Sequence, residues 1–171
     1  MTASGAAGTA RETSTSHRRI LGFRLRRLQS LLAGHWSRWF KGFDIGVTPV
    51  QGGILLLINE NPGINQVMLG RLLKIEAPTL LQSLRPLIDA KLVRRHRSLE
   101  DGRALAVYLT KAGKAVTDAI EIQTPAHEAD LLHRLTAEER TQLLALLDKA
   151  IGSGEEAVAR QLARDDEAGV G

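Results

Sequence analysis

The 171-residue sequence contains no cysteine. That excludes a disulfide framework, a thiolate zinc site, an iron–sulfur cluster, a cysteine nucleophile and a thiol redox switch. Aromatic residues are scarce, at 4% of the chain. No uninterrupted apolar run approaches the roughly 20 residues that span a bilayer. The N-terminus, rich in Ala, Gly, Ser and Thr, lacks the apolar centre of a secretory signal. A soluble, cytoplasmic protein with no membrane partner is expected. There is no glycine-rich phosphate loop, no Gly-x-Ser-x-Gly elbow and no acid–base pair in a supporting context. His17, His35, His96, His127 and His133 are scattered rather than spaced as metal ligands. No enzyme activity, metal or cofactor is therefore expected. Apolar residues at 43% and charged residues at 25% match a globular chain, long enough to bury its own core.

Charge is what the sequence distributes unevenly. Residues 1–41 carry eight Lys/Arg against one acid, and residues 42–70 carry two acids and no base. Residues 71–111 carry nine bases against four acids, whereas residues 112–171 carry six against twelve. A basic middle beside an acidic end suits a polyanion, with nucleic acid first. A merely solvated helix face is the plain alternative.

Residues 1–15 read as a disordered arm, small and polar. A helix is expected over about 16–41, with Leu21, Leu25, Leu28, Leu32, Trp36 and Trp39 recurring every three or four residues. Thr48-Pro49-Val50-Gln51 opens a second helix: Thr48 caps, Pro49 suits the first turn and Gln51 reaches back. Its expected stripe is Val50, Ile54, Leu57 and Ile58, and Asn61-Pro62-Gly63 stops it. Asn65 caps a short helix over about 66–73 with Leu69, Leu72 and Leu73 inward. Pro78 lies in the first turn of another helix, running to about Ala90 on Leu80, Leu84, Leu87 and Ile88. Pro86 inside it should kink it or remove one backbone bond. Leu92–Arg97 and Ala104–Leu109 read as a hairpin turning through Ser98–Gly102. Thr110 caps a further helix, with a break or kink expected at Pro125. Thr136-Ala137-Glu138-Glu139 is a second capping box. Gly152-Ser153-Gly154 should end the last helix, leaving residues 152–171 as an acidic tail or frayed helix.

A short helix, a turn, a second helix and a basic hairpin form a winged helix-turn-helix in a mainly α chain. The second helix fits the major groove of DNA, and the hairpin can place a cation in the neighbouring minor groove. Arg94, Arg95, Arg97 and Arg103 lie on the hairpin, and Arg71, Lys74 and Lys111 lie near it in sequence. In this setting the sequence resembles the MarR family of transcriptional regulators. The matching stretches are Thr48-Pro49-Val50-Gln51, Leu92-Val93-Arg94-Arg95, Asp101-Gly102-Arg103, Leu109-Thr110-Lys111-Ala112-Gly113 and Leu135-Thr136-Ala137-Glu138-Glu139. They span about residues 17–151 in the family's order, giving a MarR-like domain over 16–151 with its winged helix-turn-helix over about 48–111.

The resemblance implies that Arg103 is the minor-groove arginine of the wing and that Asp101 braces the wing through a basic neighbour, Arg97 being one candidate; a plain turn residue at Asp101 and a solvated strand charge at Arg97 are the alternatives. It implies that Pro78 to Gln82 enter the groove. Thr79, Gln82, Ser83 and Arg85 are the polar readers, Gln82 being able to address adenine with two hydrogen bonds. Two positions depart from the family pattern. Lys91 stands where a glycine usually ends the recognition helix, and Leu81 stands where a small polar residue is common. The resemblance also implies a homodimer through terminal helices, about 16–41 and 112–151, on a roughly palindromic double-stranded operator. Trp36, Trp39, Phe40 and Phe43 gather four of the six aromatics into eight positions. With His35 and Arg38 they suit a small aromatic or acyl anion acting as effector, while core and dimer packing explains the same cluster. A repressor released by such a ligand is the expectation. An effector-independent DNA binder and a winged-helix protein-interaction module are the alternatives.

Overall fold

The computed structural model describes residues 20–97 and 105–168. The elements are α1 (Leu21–Lys41), α2 (Pro49–Glu60), α3 (Gln66–Leu73), α4 (Ala77–Asp89), β1 (Val93–Arg97), β2 (Leu105–Leu109), α5 (Lys111–Leu131) and α6 (Ala137–Ala168). This is the expected mainly helical architecture with one small hairpin. The chain divides into two compact units, one ending at His127 and the other beginning at Glu128.

Local capping starts most helices as the sequence requires. The Gln51 N–H donates to Thr48 Oγ1 at 3.3 Å, and the Thr48 N–H donates to Gln51 Oε1 at 2.9 Å. Each bond satisfies a backbone donor that the helix start would leave open. The Met68 N–H donates to Asn65 Oδ1 at 2.8 Å, and the Gly113 N–H donates to Thr110 Oγ1 at 3.0 Å. At α6, Thr136 and Glu139 make the same reciprocal pair as Thr48 and Gln51.

In the first unit the core is built by Trp36 and Phe40 of α1, Ile54, Leu55 and Ile58 of α2, Leu69 of α3, and Leu80, Leu84 and Leu87 of α4. Val93, Val107 and Ile120 close it from the hairpin and α5. Of the expected stripe of α2, Ile54 and Ile58 are buried and Leu57 packs against the core, and only Val50 turns out, with Gln51 and Leu55 buried in addition. Gln51 turns inward because its amide is committed to the cap, and its Nε2 also donates to the Ser83 carbonyl at 3.4 Å. Leu72, expected inward, is half exposed, because the short α3 buries only the strip through Leu69 and Gly70.

The hairpin is antiparallel, with Val93 opposite Leu109 and Arg97 opposite Leu105. On its other edge β2 meets the segment before α3. The Gly63 N–H donates to the Val107 carbonyl, and the Val107 N–H donates to the Ile64 carbonyl, each at 3.0 Å. Gly63 adopts φ +86°, a conformation open to glycine, and a Cβ there would lie 2.8 Å from the Tyr108 hydroxyl.

Pro86 acts in one of the two ways expected, and two other expected interruptions do not occur. α4 runs through Pro86 as one helix, forgoing only the bond its missing N–H would make. α5 runs unbroken through Pro125. α6 continues through Gly152 and Gly154 to Ala168, so the glycines do not end it. Each costs about 1 kcal/mol of helix propensity. Flanking Ala, Glu, Gln, Leu and Arg, all strong helix formers, outweigh two such residues, and a Glu156–Arg160 pair adds an (i, i+4) contact.

Candidate nucleic-acid interface

α4 has two distinct faces. Leu80, Leu84 and Leu87 are buried, while Ala77, Pro78, Thr79, Leu81, Gln82, Arg85, Pro86 and Asp89 are exposed. At 100° per residue, Pro78, Gln82, Arg85 and Asp89 lie along the centre of the outer face, and Leu81 lies at one margin. Ser83 falls about 160° from Arg85 around the helix. It is half-buried, and its carbonyl accepts from Gln51 of α2. The outer face therefore offers Thr79, Gln82 and Arg85 as polar side chains and turns Ser83 away.

Arg85 reaches back to Asp89, with Nε 3.9 Å from Oδ2, and both side chains remain largely in solvent. Arg95 of β1 joins Leu81, Leu84, Arg85, Ile88 and Asp89 around a shallow depression on the wing side of α4. Nearer the start of α4, Arg71 and Lys74 line a second depression with Ala77 and Leu80. Lys74 holds the left-handed C-cap of α3, at φ 52°. That conformation turns the chain sharply enough for α4 to start three residues later. Cations from α3, α4 and β1 thus gather along one helix.

Arg94 extends over the Tyr108 ring, its guanidinium carbon 5.4 Å from the ring centroid, and its Nη1 lies 3.1 Å from His96 Nε2. This cation–π arrangement holds one hairpin arginine against the sheet. Tyr108 and His96 were not singled out by the sequence, since their role depends on cross-strand register. Asp101 and Arg103 lie outside the described residues, as does the side chain of Arg97.

The chain enters the wing from α4 through Lys91, which adopts φ 56°. The Lys91 N–H donates to the Ile88 carbonyl, and the Leu92 N–H donates to the Leu87 carbonyl, each at 2.9 Å. This left-handed helix end normally favours glycine. The lysine accepts the strain, and its carbonyl is held by the Thr110 hydroxyl at 2.6 Å.

Residues 45–104, spanning α2 to the wing, match the sequence profile of the MarR family. An HTH-type transcriptional repressor of Mycobacterium tuberculosis is 30% identical over 129 residues, covering 75% of this chain and 91% of the relative. The chain belongs to the MarR family. A transcriptional regulatory protein for the hcr operon of Thauera aromatica is also 30% identical over 129 residues, covering 75% of this chain and 77% of its own length. Among solved structures, the transcriptional repressor CouR bound to a 23-mer DNA duplex superposes with a TM-score of 0.70 at 30% identity. That match covers 78% of this chain and 94% of CouR. The MarR family and these relatives are transcriptional regulators, not enzymes.

The aromatic cluster of this MarR-family chain sits within the first unit. Trp36 and Phe40 are core residues, with ring centroids 4.1 Å apart. Trp36 Nε1 donates to the Val47 carbonyl at 2.8 Å, and its six-membered ring packs on Gly52, where a Cβ would come within 2.8 Å. Trp39 and His35 are half-buried. His127 of α5, fully buried, lies among all four rings, 4.7 Å from His35 and 5.7 Å from Phe40 between centroids. The sequence separates it from them by some ninety residues, so no local pattern could reveal it. Trp39 Nε1 is buried without a hydrogen-bond partner among the described residues. Arg38 and Phe43 are exposed and stand apart from the rings. Among the described residues no three His, Asp or Glu side chains converge as metal ligands would, and no helix is long and apolar enough to cross a membrane.

Proposed function

We propose that this regulator binds a roughly palindromic double-stranded DNA operator as a homodimer and represses transcription in the cytoplasm. The observation that carries the reading is the outer face of α4, with Thr79, Gln82 and Arg85 exposed, Arg71 and Lys74 beside its start and Arg95 beside its later turns. A helix of this width enters the major groove, where Gln82 and Arg85 meet base edges while the surrounding cations neutralise phosphates. Asp101, Arg103 and Arg97 of the wing complete the reading by resemblance, Arg103 serving the adjacent minor groove. The CouR–DNA complex supports it as a relative of the same fold.

The dimer reading rests on apolar side chains that a single chain leaves uncovered. α1 exposes Leu21, Phe23, Leu25 and Leu31, and α6 exposes Leu144, Leu146, Ile151 and Val158. A two-fold pair places the recognition helices about one DNA turn apart. The test is binding of the full-length protein to genomic duplex fragments across a salt series. Affinity should fall steeply with salt, with a sequence preference well above background. Arg103→Ala should weaken binding by about 1–3 kcal/mol. Flat salt dependence or equal affinity for all duplexes favours the protein-interaction alternative.

For the effector we infer a small aromatic or acyl anion beside Trp39 and His35. The buried Trp39 N–H, lacking an acceptor, is the group that a carboxylate would take. Of the residues expected to line that site, Trp36 and Phe40 support it from the core, while Arg38 and Phe43 lie on the surface nearby in sequence. Coupling of about 1–3 kcal/mol between ligand and DNA would release the operator. Trp36 and Trp39 are the chain's two tryptophans. Their fluorescence should therefore change at the same ligand concentrations that release DNA. Release with no such change places the ligand elsewhere, and no release by any aromatic acid or thioester favours effector-independent binding.

A further inference from the structure

Leu81 is 47% exposed on the outer face of α4, whose other leucines, Leu80, Leu84 and Leu87, are all but fully buried. Nothing in the core calls for it: the buried stripe is complete without it. Its neighbours are Gln82, Arg85 and the Arg85-paired Asp89 along the helix and Arg95 across from the wing. An exposed apolar side chain beside two arginines does not suit an ordinary apolar protein surface. It suits a polyanion that carries a small apolar group within reach of a helix. Double-stranded DNA has one such group in the major groove, the C5 methyl of thymine. Leu81 also lies in the first half of α4, the part of a recognition helix that approaches base edges.

We propose that Leu81 is a specificity-determining residue that packs on the C5 methyl of one thymine in each operator half-site. The proposal rests on the DNA-binding reading above and adds to it the identity of one base and the atom recognised. Gln82, about 100° further round the helix, faces an adjacent base pair. Together the two side chains favour an A·T-rich step: the amide takes adenine N6 and N7, and the leucine takes the methyl.

The test begins with a duplex selected from a random pool by the full-length protein. Each thymine of that duplex is then replaced in turn by deoxyuridine, which removes the methyl and keeps every Watson–Crick and O4 contact. At one position per half-site the replacement should weaken binding about fourfold, the value of one buried methyl-sized group. Replacing both symmetry-related thymines should weaken it about fifteenfold. Leu81→Ala should bind the thymine duplex more weakly and be indifferent to the replacement at that position, whereas Leu81→Met should keep the discrimination. Because Leu81 is exposed, the variants should unfold at the wild-type midpoint. The proposal is overturned if the wild-type protein binds every deoxyuridine duplex as tightly as the parent, or if Leu81→Ala still discriminates at the sensitive position. Those results leave the DNA-binding reading intact. If no duplex is selected at all, the DNA-binding reading fails, and the proposal with it.

Discussion

Replacing Gly113 by alanine isolates a contact that joins the wing to α5. A Cβ at Gly113 would lie 2.0 Å from the Leu92 carbonyl oxygen and 2.9 Å from its carbonyl carbon. Relief requires at least about 1 Å of relative movement, against backbone rather than against a yielding side chain. The same oxygen accepts the Thr110 N–H at 2.9 Å, and the Thr110 hydroxyl bridges the Lys91 carbonyl and the Gly113 N–H. Movement therefore strains the whole junction. Overpacking of this kind costs about 1–3 kcal/mol, and weakening one partly buried hydrogen bond costs about 1 kcal/mol more. Alanine's better helix propensity returns about 1 kcal/mol. The expected net destabilisation is about 1–3 kcal/mol. Gly154 provides the internal comparison, because a Cβ there meets nothing within 4 Å. Gly154→Ala should stabilise the protein by about 1 kcal/mol through propensity alone. Urea unfolding followed by circular dichroism, with the slope checked for constancy, measures both. If Gly113→Ala proves as stable as the parent with the same slope, the junction is not rigid and the argument from close approach is wrong.

Lys91→Gly should stabilise the chain by about 1 kcal/mol, since it relieves a left-handed lysine, and differential scanning calorimetry would show the rise in midpoint. Thr48→Ala should lower stability by about 1 kcal/mol and leave the Gln51 N–H uncapped, a loss visible as faster amide exchange at the start of α2. Val50→Ser should have little effect, within about 0.5 kcal/mol, because Val50 faces solvent, whereas Leu55→Ala should cost about 2–5 kcal/mol, both read by urea unfolding. The Glu138 carboxyl is held below the usual glutamate range, first by its own backbone N–H and then by Thr136. A lowered pKa stabilises the folded state above the ordinary glutamate range, and that contribution disappears as pH falls through the folded pKa. A carbon-detected titration of Glu138 should show the shift, and Thr136→Ala should reduce it.

The parts of the fold most readable from sequence were those decided within four residues. The Thr48–Gln51 and Thr136–Glu139 pairs and the Asn65 and Thr110 caps each close over a single turn, so residue type and spacing suffice. Misplaced features depended on sums over longer stretches or on distant partners. Pro125, Gly152 and Gly154 are poor helix residues, yet each sits among enough helix formers and packing contacts to be overridden. The Val50 and Leu72 assignments failed because apolar residues occupy several adjacent positions, and only the partner helix selects which stripe turns in. In the candidate site, the exposed face of α4 followed from the inward spacing of its leucines. The arrival of Arg95 beside Arg85 required the hairpin's placement, and His127 entered the aromatic cluster from a helix far along the chain. Lys91 shows a different limit: its backbone conformation is set by the geometry between α4 and β1, although its side chain argues against it.

The hairpin also bears on how the protein behaves at high concentration. Among the described residues β2 is paired along both edges, to β1 on one side and to the segment before α3 on the other, whereas β1 has a strand neighbour on one side only. An open strand edge invites a second molecule to add a strand, and charge along the edge is the usual deterrent. The sequence of β1, Val-Arg-Arg-His-Arg, makes it a strongly basic edge. Variants that exchange these arginines for Val, Thr or Ile would raise strand propensity and remove the repulsion together, creating an adhesive edge. Loss of function in such variants would then reflect precipitation. Glutamine or glutamate at Arg94 and Arg95 removes the cations while keeping the edge polar, so these substitutions would yield soluble protein for measurement.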